Sequence, residues 1–251
     1  MNRMPTLGVA LPLAGLRAHR DWILEDQRDL EMQDFERQEV LDGDWRSIAR
    51  EIRSLLDGYS GRLGIHGPFR GLALDNPDAM VRAAVRRRFR QGLDVAEELG
   101  ATHMVLHSPI TPWEYRHVRA SAKKVLFDLV QETLCELLER SERIGCTLVI
   151  ENIQDIGPAL QLELVRSLNS PAARVSVDVG HAFCMHTMDS APPPDYFVGV
   201  AGADLEHLHL QDTDGYADRH WLPGEGKVQW NALFETLRGL DHRPRLTIGH
   251  A

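Results

Sequence analysis

Short apolar runs rich in β-branched residues recur along the chain, and each is followed by a longer stretch with helical periodicity. Such runs are typical of buried strands. The eight predicted strands are Thr6–Leu11, Leu30–Asp34, Arg62–His66, His103–His107, Thr147–Glu151, Arg174–Asp178, Glu206–Leu210 and Arg245–Ile248. Strands that alternate with helices pair in parallel, because parallel neighbours need a crossover connection. The repeat therefore predicts an α/β protein built from strand–helix units.

The helical pattern is clearest in three of the intervening segments. Apolar residues recur every three or four positions in Trp45–Tyr59, Met80–Leu99 and Val118–Ile144. Gly100 and Gly145 follow the second and third segments, at the place where a left-handed residue commonly ends a helix. We predict helices over these three ranges.

The number of repeats selects among the α/β architectures. Eight units in 251 residues match the size of a (β/α)₈ TIM barrel, and we expect residues 1–251 to form one such domain. An open doubly wound sheet would carry a glycine-rich phosphate turn after its first strand, and Pro12–Gly15 is not one. The eighth predicted strand ends three residues before the last residue. We therefore expect a barrel without its final helix. Either its open seam is covered by a partner, for which a second copy of the chain is the candidate, or the gene product has lost its end.

Composition places the protein among ordinary folded domains and excludes several function classes. Apolar residues make up 43% and charged residues 26% of the chain, and the formal net charge is −9. This balance supports a sizeable core, and the acidic excess argues against broad coating of nucleic acid. The three cysteines lack a paired spacing, so we expect reduced thiols and a cytoplasmic protein.

No apolar run approaches the ~20 residues of a membrane span, so we expect no membrane partner. The run Leu7–Gly15 has the length of a short signal peptide, but Pro12 interrupts it and no clear cleavage site follows. We predict a buried first strand there.

Side chains with metal-binding chemistry follow the predicted strands at their carboxyl ends. In a parallel barrel these ends converge on one mouth. The eight candidate ligands at strand ends and in the adjoining loops are His66, His107, Glu151, Asp178, His181, His209, Asp218 and His220. Three carboxylates held together away from water are costly without cations, and imidazole with carboxylate suits Zn²⁺, Mn²⁺, Fe²⁺ or Co²⁺. We predict one to three divalent metal ions per chain, with Zn²⁺ or Mn²⁺ as the first choice.

These segments also resemble a known family. They are similar to the xylose-isomerase-like TIM-barrel superfamily, which holds the sugar (phosphate) isomerases and epimerases together with endonuclease IV relatives. The matching segments are His66-Gly-Pro68, Leu106-His107, Ile150-Glu151-Asn152, Val177-Asp178-Val-Gly-His181-Ala-Phe183, His209 and Asp218-Arg-His220 followed by Gly224-Glu225-Gly226. The resemblance runs from the first predicted strand to the last. It implies a metal-dependent enzyme of one of these branches.

The two branches imply different metal sites. The endonuclease IV branch implies three zinc ions. Their ligand sets here are His66 with His107 and Glu151, Glu151 with Asp178 and His209, and His181 with Asp218 and His220. In that branch the second set also takes a glutamate from strand eight. The epimerase branch implies a single Mn²⁺-like ion on this second set and the same glutamate, with the two glutamates exchanging a proton with the substrate.

Strand eight departs from both branches. Gly249 or His250 stands where the resemblance implies a glutamate. If His250 points into the mouth, it replaces a ligand and titrates near neutrality. If it does not, the two-carboxylate mechanism lacks one half. We predict Glu151 and His181 as the catalytic residues.

Three further residues near the predicted mouth are candidates for substrate binding. Arg219 offers paired donors to a hydroxyl or phosphate group. Trp113 offers an aromatic face to a sugar ring. Glu225 lies in a glycine-flanked turn that would shape the mouth.

Three functions remain open, and charge favours the first of them. They are an isomerase or epimerase acting on a small sugar, sugar phosphate or polyol-like substrate, a zinc phosphodiesterase of the endonuclease IV type, and a non-catalytic metal-binding barrel. The segment Glu25–Asp44 holds nine acidic residues and two arginines, and beside the mouth it would repel a nucleic-acid backbone. Arg82 and the arginines of Arg86–Arg90 are predicted to form a solvated helix face. We therefore expect a small-molecule substrate and no nucleic-acid partner.

Overall fold

The computed structural model describes residues 6–116 and 120–249. Its strands are β1 Leu7–Leu11, β2 Leu30–Met32, β3 Leu63–His66, β4 His103–His107, β5 Thr147–Glu151, β6 Ala173–Asp178, β7 Leu205–Leu210 and β8 Arg245–Gly249. Its α-helices are α1 Leu13–Glu25, α2 Gln38–Asp42, α3 Trp45–Leu55, α4 Ala79–Leu99, α5 Pro112–Tyr115, α6 Ala120–Ile144, α7 Pro158–Ser167, α8 Val179–Asp189, α9 Pro194–Ala201 and α10 Trp230–Arg238.

The eight strands form a closed barrel. Each strand pairs in parallel with the next, and β8 pairs with β1, where Val9 lies opposite Ile248. This confirms the predicted α/β fold, a (β/α)₈ TIM barrel. The carboxyl ends of all eight strands consequently meet at one mouth.

One strand and one helix are shorter than predicted. Strand β2 stops at Met32 because Asp34 opens a short 3₁₀ turn, where its carboxylate accepts a hydrogen bond from the backbone N–H of Leu13 (2.8 Å). Helix α3 stops at Leu55 instead of Tyr59, and Gly58 beyond it has a positive φ of 81°. The predicted start of the third helix, Val118, lies outside the described residues, which resume at Ala120.

The basic cluster of α4 serves helix packing. Arg82 is buried, and its Nη2 donates to both carboxylate oxygens of Glu132 on α6 (2.9 and 2.8 Å). Arg90 reaches Glu136 on α6 (3.0 Å), and Arg88 reaches Asp42 on α2 (2.9 Å). The prediction of a solvated face is therefore wrong for Arg82, because acidic residues on neighbouring helices draw its guanidinium inward.

The acidic segment Glu25–Asp44 is divided between the two ends of the barrel. Asp29 directly precedes β2, at the end opposite the mouth, and accepts a hydrogen bond from Arg62 (2.8 Å). Glu31 is fully buried inside the barrel. Only the residues from Gln33 onward follow β2 on the mouth side. The expectation that the whole segment lies beside the mouth is therefore wrong, since residues before and after a strand lie at opposite ends of the barrel.

The cysteines and the helices bear on two further expectations. Cys135, Cys146 and Cys184 are free thiols, in agreement with the prediction from their spacing. None of the described helices combines the length and apolar character needed to cross a membrane.

Candidate metal centre

The carboxyl ends of β3 to β7 and the loops beyond them bring the eight predicted ligands to the mouth. His66, His107, Glu151 and Asp178 are the last residues of β3, β4, β5 and β6. Within three groups at the mouth, one potential ligand atom from each residue lies within 4.8 Å of the others, and a fourth such group joins His209 to Glu31 and His207. The three groups at the mouth are His66 with His107 and Glu151, Glu151 with Asp178 and His181, and His181 with Asp218 and His220. Glu151 and His181 each belong to two groups, so the three groups form one continuous centre.

The first group combines two imidazoles with a buried carboxylate. His107 Nε2 lies 3.4 Å from Glu151 Oε2, and the ring of Phe69 stacks on His107 with centroids 4.3 Å apart. His66 Nδ1 lies 2.9 Å from the carbonyl oxygen of Gly67, which uses that nitrogen as a donor. Burial lowers the pKa of His107 to about 3, although the charge of Glu151 opposes this. A neutral imidazole is the form that binds a metal.

Glu151 and Asp178 place two buried carboxylates beside His209. His209 Nδ1 hydrogen-bonds to Glu151 Oε1 and lies 4.0 Å from Asp178 Oδ2. Burial and the charge of Glu151 raise the pKa of Asp178. Burial would also raise the pKa of Glu151, but the charge of His209 and its hydrogen bond outweigh burial and lower that pKa. The pair has an excess of negative charge that a cation would neutralise.

The third group joins the start of α8 to the loop after β7. His181 Nε2 and His220 Nε2 lie 3.3 and 3.1 Å from Asp218 Oδ2. Burial would lower the pKa of His181, but Asp178 and Asp218 outweigh it and raise the pKa to about 10. Asp178 also caps α8, because its Oδ1 accepts a hydrogen bond from the backbone N–H of His181 (2.7 Å). The cap therefore fixes the distance between the second and third groups.

The last described residue of β8, Gly249, faces this third group. A Cβ atom built on Gly249 would stand 3.8 Å from Nδ1 of His220. Glycine offers no ligand at the position where the resemblance implies a glutamate, and the imidazole of His220 lies next to that position. His250, the other candidate for this position, lies outside the described residues.

Sequence analysis missed Glu31, which lies below the centre in the middle of β2. Its carboxylate contacts Nε2 of His209 (2.9 Å) and of His103 (3.1 Å), and it lies 3.2 Å from Nε2 of His207. Burial would raise the pKa of Glu31, but His209, His103 and His207 together lower it well below its ordinary value. A charged residue inside a short apolar strand was the available signal.

Amide side chains that were also missed fix the ligands in place. Asn152 Oδ1 accepts a hydrogen bond from the backbone N–H of Asp178 (2.9 Å), and Asn152 Nδ2 donates to the Asp178 carbonyl (3.1 Å). Gln211 Nε2 donates to Asp218 (2.8 Å), and its Oε1 accepts from the backbone N–H of His220 (3.0 Å). Both amides thus hold ligands through hydrogen bonds within the centre.

The three predicted substrate-binding residues lie on the loops around the centre. Arg219 donates to Asp214 (3.1 Å), and Glu225 Oε2 accepts from the backbone N–H of Leu222 (3.0 Å). Trp113, on α5 beyond β4, is 96% exposed. Their roles toward a substrate stay predictions.

Buried Asp212 organises the loop that carries Glu225. Its carboxylate accepts hydrogen bonds from the backbone N–H groups of Thr213 (2.8 Å), Gly224 (2.8 Å) and Val228 (3.1 Å), and from Nε1 of Trp230 (2.8 Å). One ionised side chain thus holds both ends of the segment 213–230.

Replacing Asp212 with Asn should loosen this loop. The amide keeps one acceptor oxygen, but its NH₂ group would face N–H donors and could not accept their hydrogen bonds. Hydrogen bonds to a charged group each contribute about 1.5–3 kcal/mol, so we expect a loss of about 2–3 kcal/mol in the free energy of unfolding and faster proteolysis within 221–229. Urea unfolding and limited proteolysis measure both. Asp214→Asn, on the same loop, is the matched control and should reduce stability much less, because Asp214 is only partly buried and contacts none of these four donors. Equal effects of the two variants would contradict this role of Asp212.

Comparisons with known proteins identify relatives of the whole barrel. A family model described as a xylose isomerase-like TIM barrel matches residues 25–249. A protein from Thermus thermophilus, solved after soaking with ZnCl₂, is 29% identical, with a TM-score of 0.73 over 96% of this chain and 89% of that one. A D-tagatose 3-epimerase-like protein has the same fold, with 24% identity and a TM-score of 0.76 over 98% of this chain and 90% of that one.

Curated relatives match shorter stretches. Fructoselysine 3-epimerase of Escherichia coli O157:H7 is 28% identical over 156 residues, which are 58% of this chain and 51% of that protein. An uncharacterised protein of Methanocaldococcus jannaschii is 26% identical over 200 residues, 76% of this chain and 65% of that protein. The chain thus spans about half to two thirds of the length of these two curated relatives. The family model covers most of the chain, and the chain belongs to the xylose isomerase-like TIM-barrel family.

Proposed function

We propose that this chain is a divalent-metal-dependent epimerase or isomerase of a small sugar-like substrate. The observation that carries the proposal is the convergence of Glu151, Asp178 and His209 at the mouth, with two buried carboxylates next to each other. This donor set fits Mn²⁺ or Zn²⁺, which both accept imidazole and carboxylate ligands. The names of the epimerase relatives agree with such a reaction.

The chemistry of an epimerase needs a proton to leave and return at a carbon next to a carbonyl group. A bound divalent ion would polarise the substrate oxygens and so acidify the adjacent C–H. Glu151 is the proposed base, because its low pKa keeps it ionised. His181 is the proposed partner: although burial opposes it, Asp178 and Asp218 raise the pKa of its imidazole, which can therefore carry the proton that returns to the substrate. In this assignment His181 is not a ligand, and it replaces the strand-eight carboxylate that Gly249 cannot supply.

The first assay uses the substrates that appear in the names of the relatives, which are fructoselysine and D-tagatose. The purified chain is loaded with Mn²⁺ or Zn²⁺, and the products are separated by chromatography. We expect metal-dependent formation of the epimer of at least one ketose. A metal-loaded, folded chain that converts none of a panel of ketoses and ketose phosphates would contradict the proposal.

A second candidate function, a zinc phosphodiesterase, is supported by the third ligand group of His181, Asp218 and His220. A one-metal epimerase does not need that group as a set of metal ligands, since it uses His181 only as a proton donor. Metal analysis separates the two functions, because the epimerase requires about one ion per chain and the phosphodiesterase three. Cleavage of an abasic-site duplex that is abolished by His107→Ala would favour the phosphodiesterase.

Metal affinity should rise with pH, and the number of protons released should report which ligands bind. Burial would lower the pKa of His209, but Glu31 and Glu151 outweigh it and raise the pKa well above its ordinary value. The imidazole must lose a proton to bind a metal, so affinity for one ion should increase about tenfold per pH unit near neutrality. Calorimetry in buffers with different ionisation enthalpies counts the protons. About one proton fits the epimerase, whereas about three fit binding that also uses His181 and His220. An affinity that does not change between pH 6 and 8 would contradict His209 as a ligand.

In the metal-free protein, the raised pKa of His209 makes the fold less stable as the pH rises. The contribution of protonated His209 to stability is complete below the pKa of an unfolded histidine, and it is lost as the pH rises through the higher pKa of the folded chain. Metal should therefore stabilise the fold more at alkaline than at acidic pH.

A further inference from the structure

Beneath the mouth, the barrel encloses a polar cluster that the proposed reaction does not use. Glu31, His103 and His207 are at most 1% exposed, and they come from β2, β4 and β7. A buried carboxylate is costly unless it accepts hydrogen bonds. Here Glu31 Oε2 receives Nε2 of His103 at 3.1 Å and lies 3.2 Å from Nε2 of His207, while Oε1 receives Nε2 of His209 at 2.9 Å.

The barrel is shaped to hold this cluster. Glu31 pairs in register with Gly64 of β3, which pairs in turn with His103 of β4. A Cβ atom on Gly64 would stand 1.8 Å from Cε1 of His103, so only glycine leaves room for that imidazole over the strand. Ser176 Oγ lies 2.8 Å from Nδ1 of His207 and fixes the orientation of the second ring. The imidazole rings of His103 and His207 are consequently held beside the carboxylate of Glu31 by Gly64 and Ser176.

His209 joins this cluster to the metal centre. Its Nε2 points down to Glu31, and its Nδ1 points up to Glu151 and Asp178. An imidazole that donates one N–H to a carboxylate presents the lone pair of its other nitrogen, and such partners fix the tautomer and orientation of metal-binding histidines. We propose that Glu31 is a positioning residue that holds the Nε2–H of His209 and thereby commits Nδ1 to the metal ion. This inference rests on the proposed function, because it assumes that a metal binds at Glu151, Asp178 and His209.

Replacing Glu31 with Gln tests the proposal through metal binding rather than activity. The amide has nearly the same shape, but its side chain can either accept from His209 or donate to it, so the tautomer is no longer fixed. Loss of such a partner typically costs 10–100-fold in metal affinity. We expect the dissociation constant of Zn²⁺ or Mn²⁺, measured by chelator competition, to rise by that factor in Glu31→Gln.

Asp29→Asn is the matched control. Asp29 is a buried acidic residue two positions before Glu31, and it does not contact His209. Asp29 pairs with Arg62 at the opposite end of the barrel. We expect Asp29→Asn to lower the unfolding midpoint and to leave the metal affinity unchanged. Equal affinities of the wild type and Glu31→Gln, or equal losses in Glu31→Gln and Asp29→Asn, would overturn the role of Glu31.

The wild-type protein provides a second test that does not depend on whether Glu31→Gln folds. Long-range ¹H–¹⁵N correlation spectra distinguish the two ring nitrogens of each histidine, and the signals of His209 are those missing in His209→Asn. In the Zn²⁺-loaded chain we expect His209 to carry its proton on Nε2 and to bind the metal through Nδ1. A proton on Nδ1 would overturn the inference. A wild-type chain that binds no metal at all would overturn the proposed function itself, and is distinct from both outcomes.

Discussion

Replacing Glu151 with Gln should reduce epimerase activity by about 10³-fold or more and remove the metal from the centre. Glu151 contacts His107 and His209, and it belongs to two of the three ligand groups at the mouth. The variant removes a negative charge from a metal site and the proposed base at once, and proton-transfer groups alone contribute about 10²–10⁴-fold. Steady-state kinetics and metal content per chain measure the two losses separately.

Glu163→Gln is the control for this experiment. Glu163 lies on α7, pairs with Lys123 on α6, and belongs to none of the ligand groups. Its side chain is half exposed, so the change should leave both activity and metal content as in the wild type. If Glu151→Gln retained more than about a tenth of the wild-type activity, with a full complement of metal, the assignment of Glu151 as base and ligand would be wrong.

Removing the metal should abolish activity and lower thermal stability, and adding it back should restore both. A ligand at one hundred times its dissociation constant stabilises the folded state by about 2.7 kcal/mol per site. For a domain of this size, that corresponds to about 5–10 °C in the unfolding midpoint. The reason lies in the buried carboxylates of Glu151 and Asp178, whose charges are offset in the metal-free fold by His209 and His181.

Chelation followed by titration with Mn²⁺, Zn²⁺ or Mg²⁺ checks this prediction by calorimetric melting and by turnover. Mg²⁺ is the comparison ion, since it prefers an all-oxygen octahedral site and should stabilise the chain least. Full activity after exhaustive chelation, or equal stabilisation by Mg²⁺, would contradict a site built from imidazole and carboxylate.

The sequence was sufficient to predict the barrel and to place the candidate ligands at its mouth. His66, His107, Glu151 and Asp178 each end a strand, and the geometry of parallel barrels alone brings such residues together. These positions could be predicted because the end of a hydrophobic run in the sequence indicates the end of a strand.

Glu31 and Asp212 could not be assigned in the same way, because their partners lie on other strands or in an irregular loop. Glu31 depends on histidines that are 72 and 178 residues away. Asp212 is stabilised by donors from a loop whose conformation it determines itself. Arg82 was misjudged for a related reason, since Glu132 on another helix draws it out of solvent. In each case the stabilising interaction is a polar contact that hydrophobic periodicity does not indicate.

The proposed reaction moves a proton at a carbon next to a carbonyl group by means of a metal held at Glu151, Asp178 and His209. Solvent exchange tests it most directly. A ketose substrate is incubated in D₂O with the Mn²⁺-loaded chain, the chelated chain and the Glu151→Gln variant, and deuterium is located by NMR. We predict deuterium at the epimerised carbon with the metal-loaded wild type alone. Epimerised product that contains no deuterium, or equal incorporation by the chelated chain, would contradict the account.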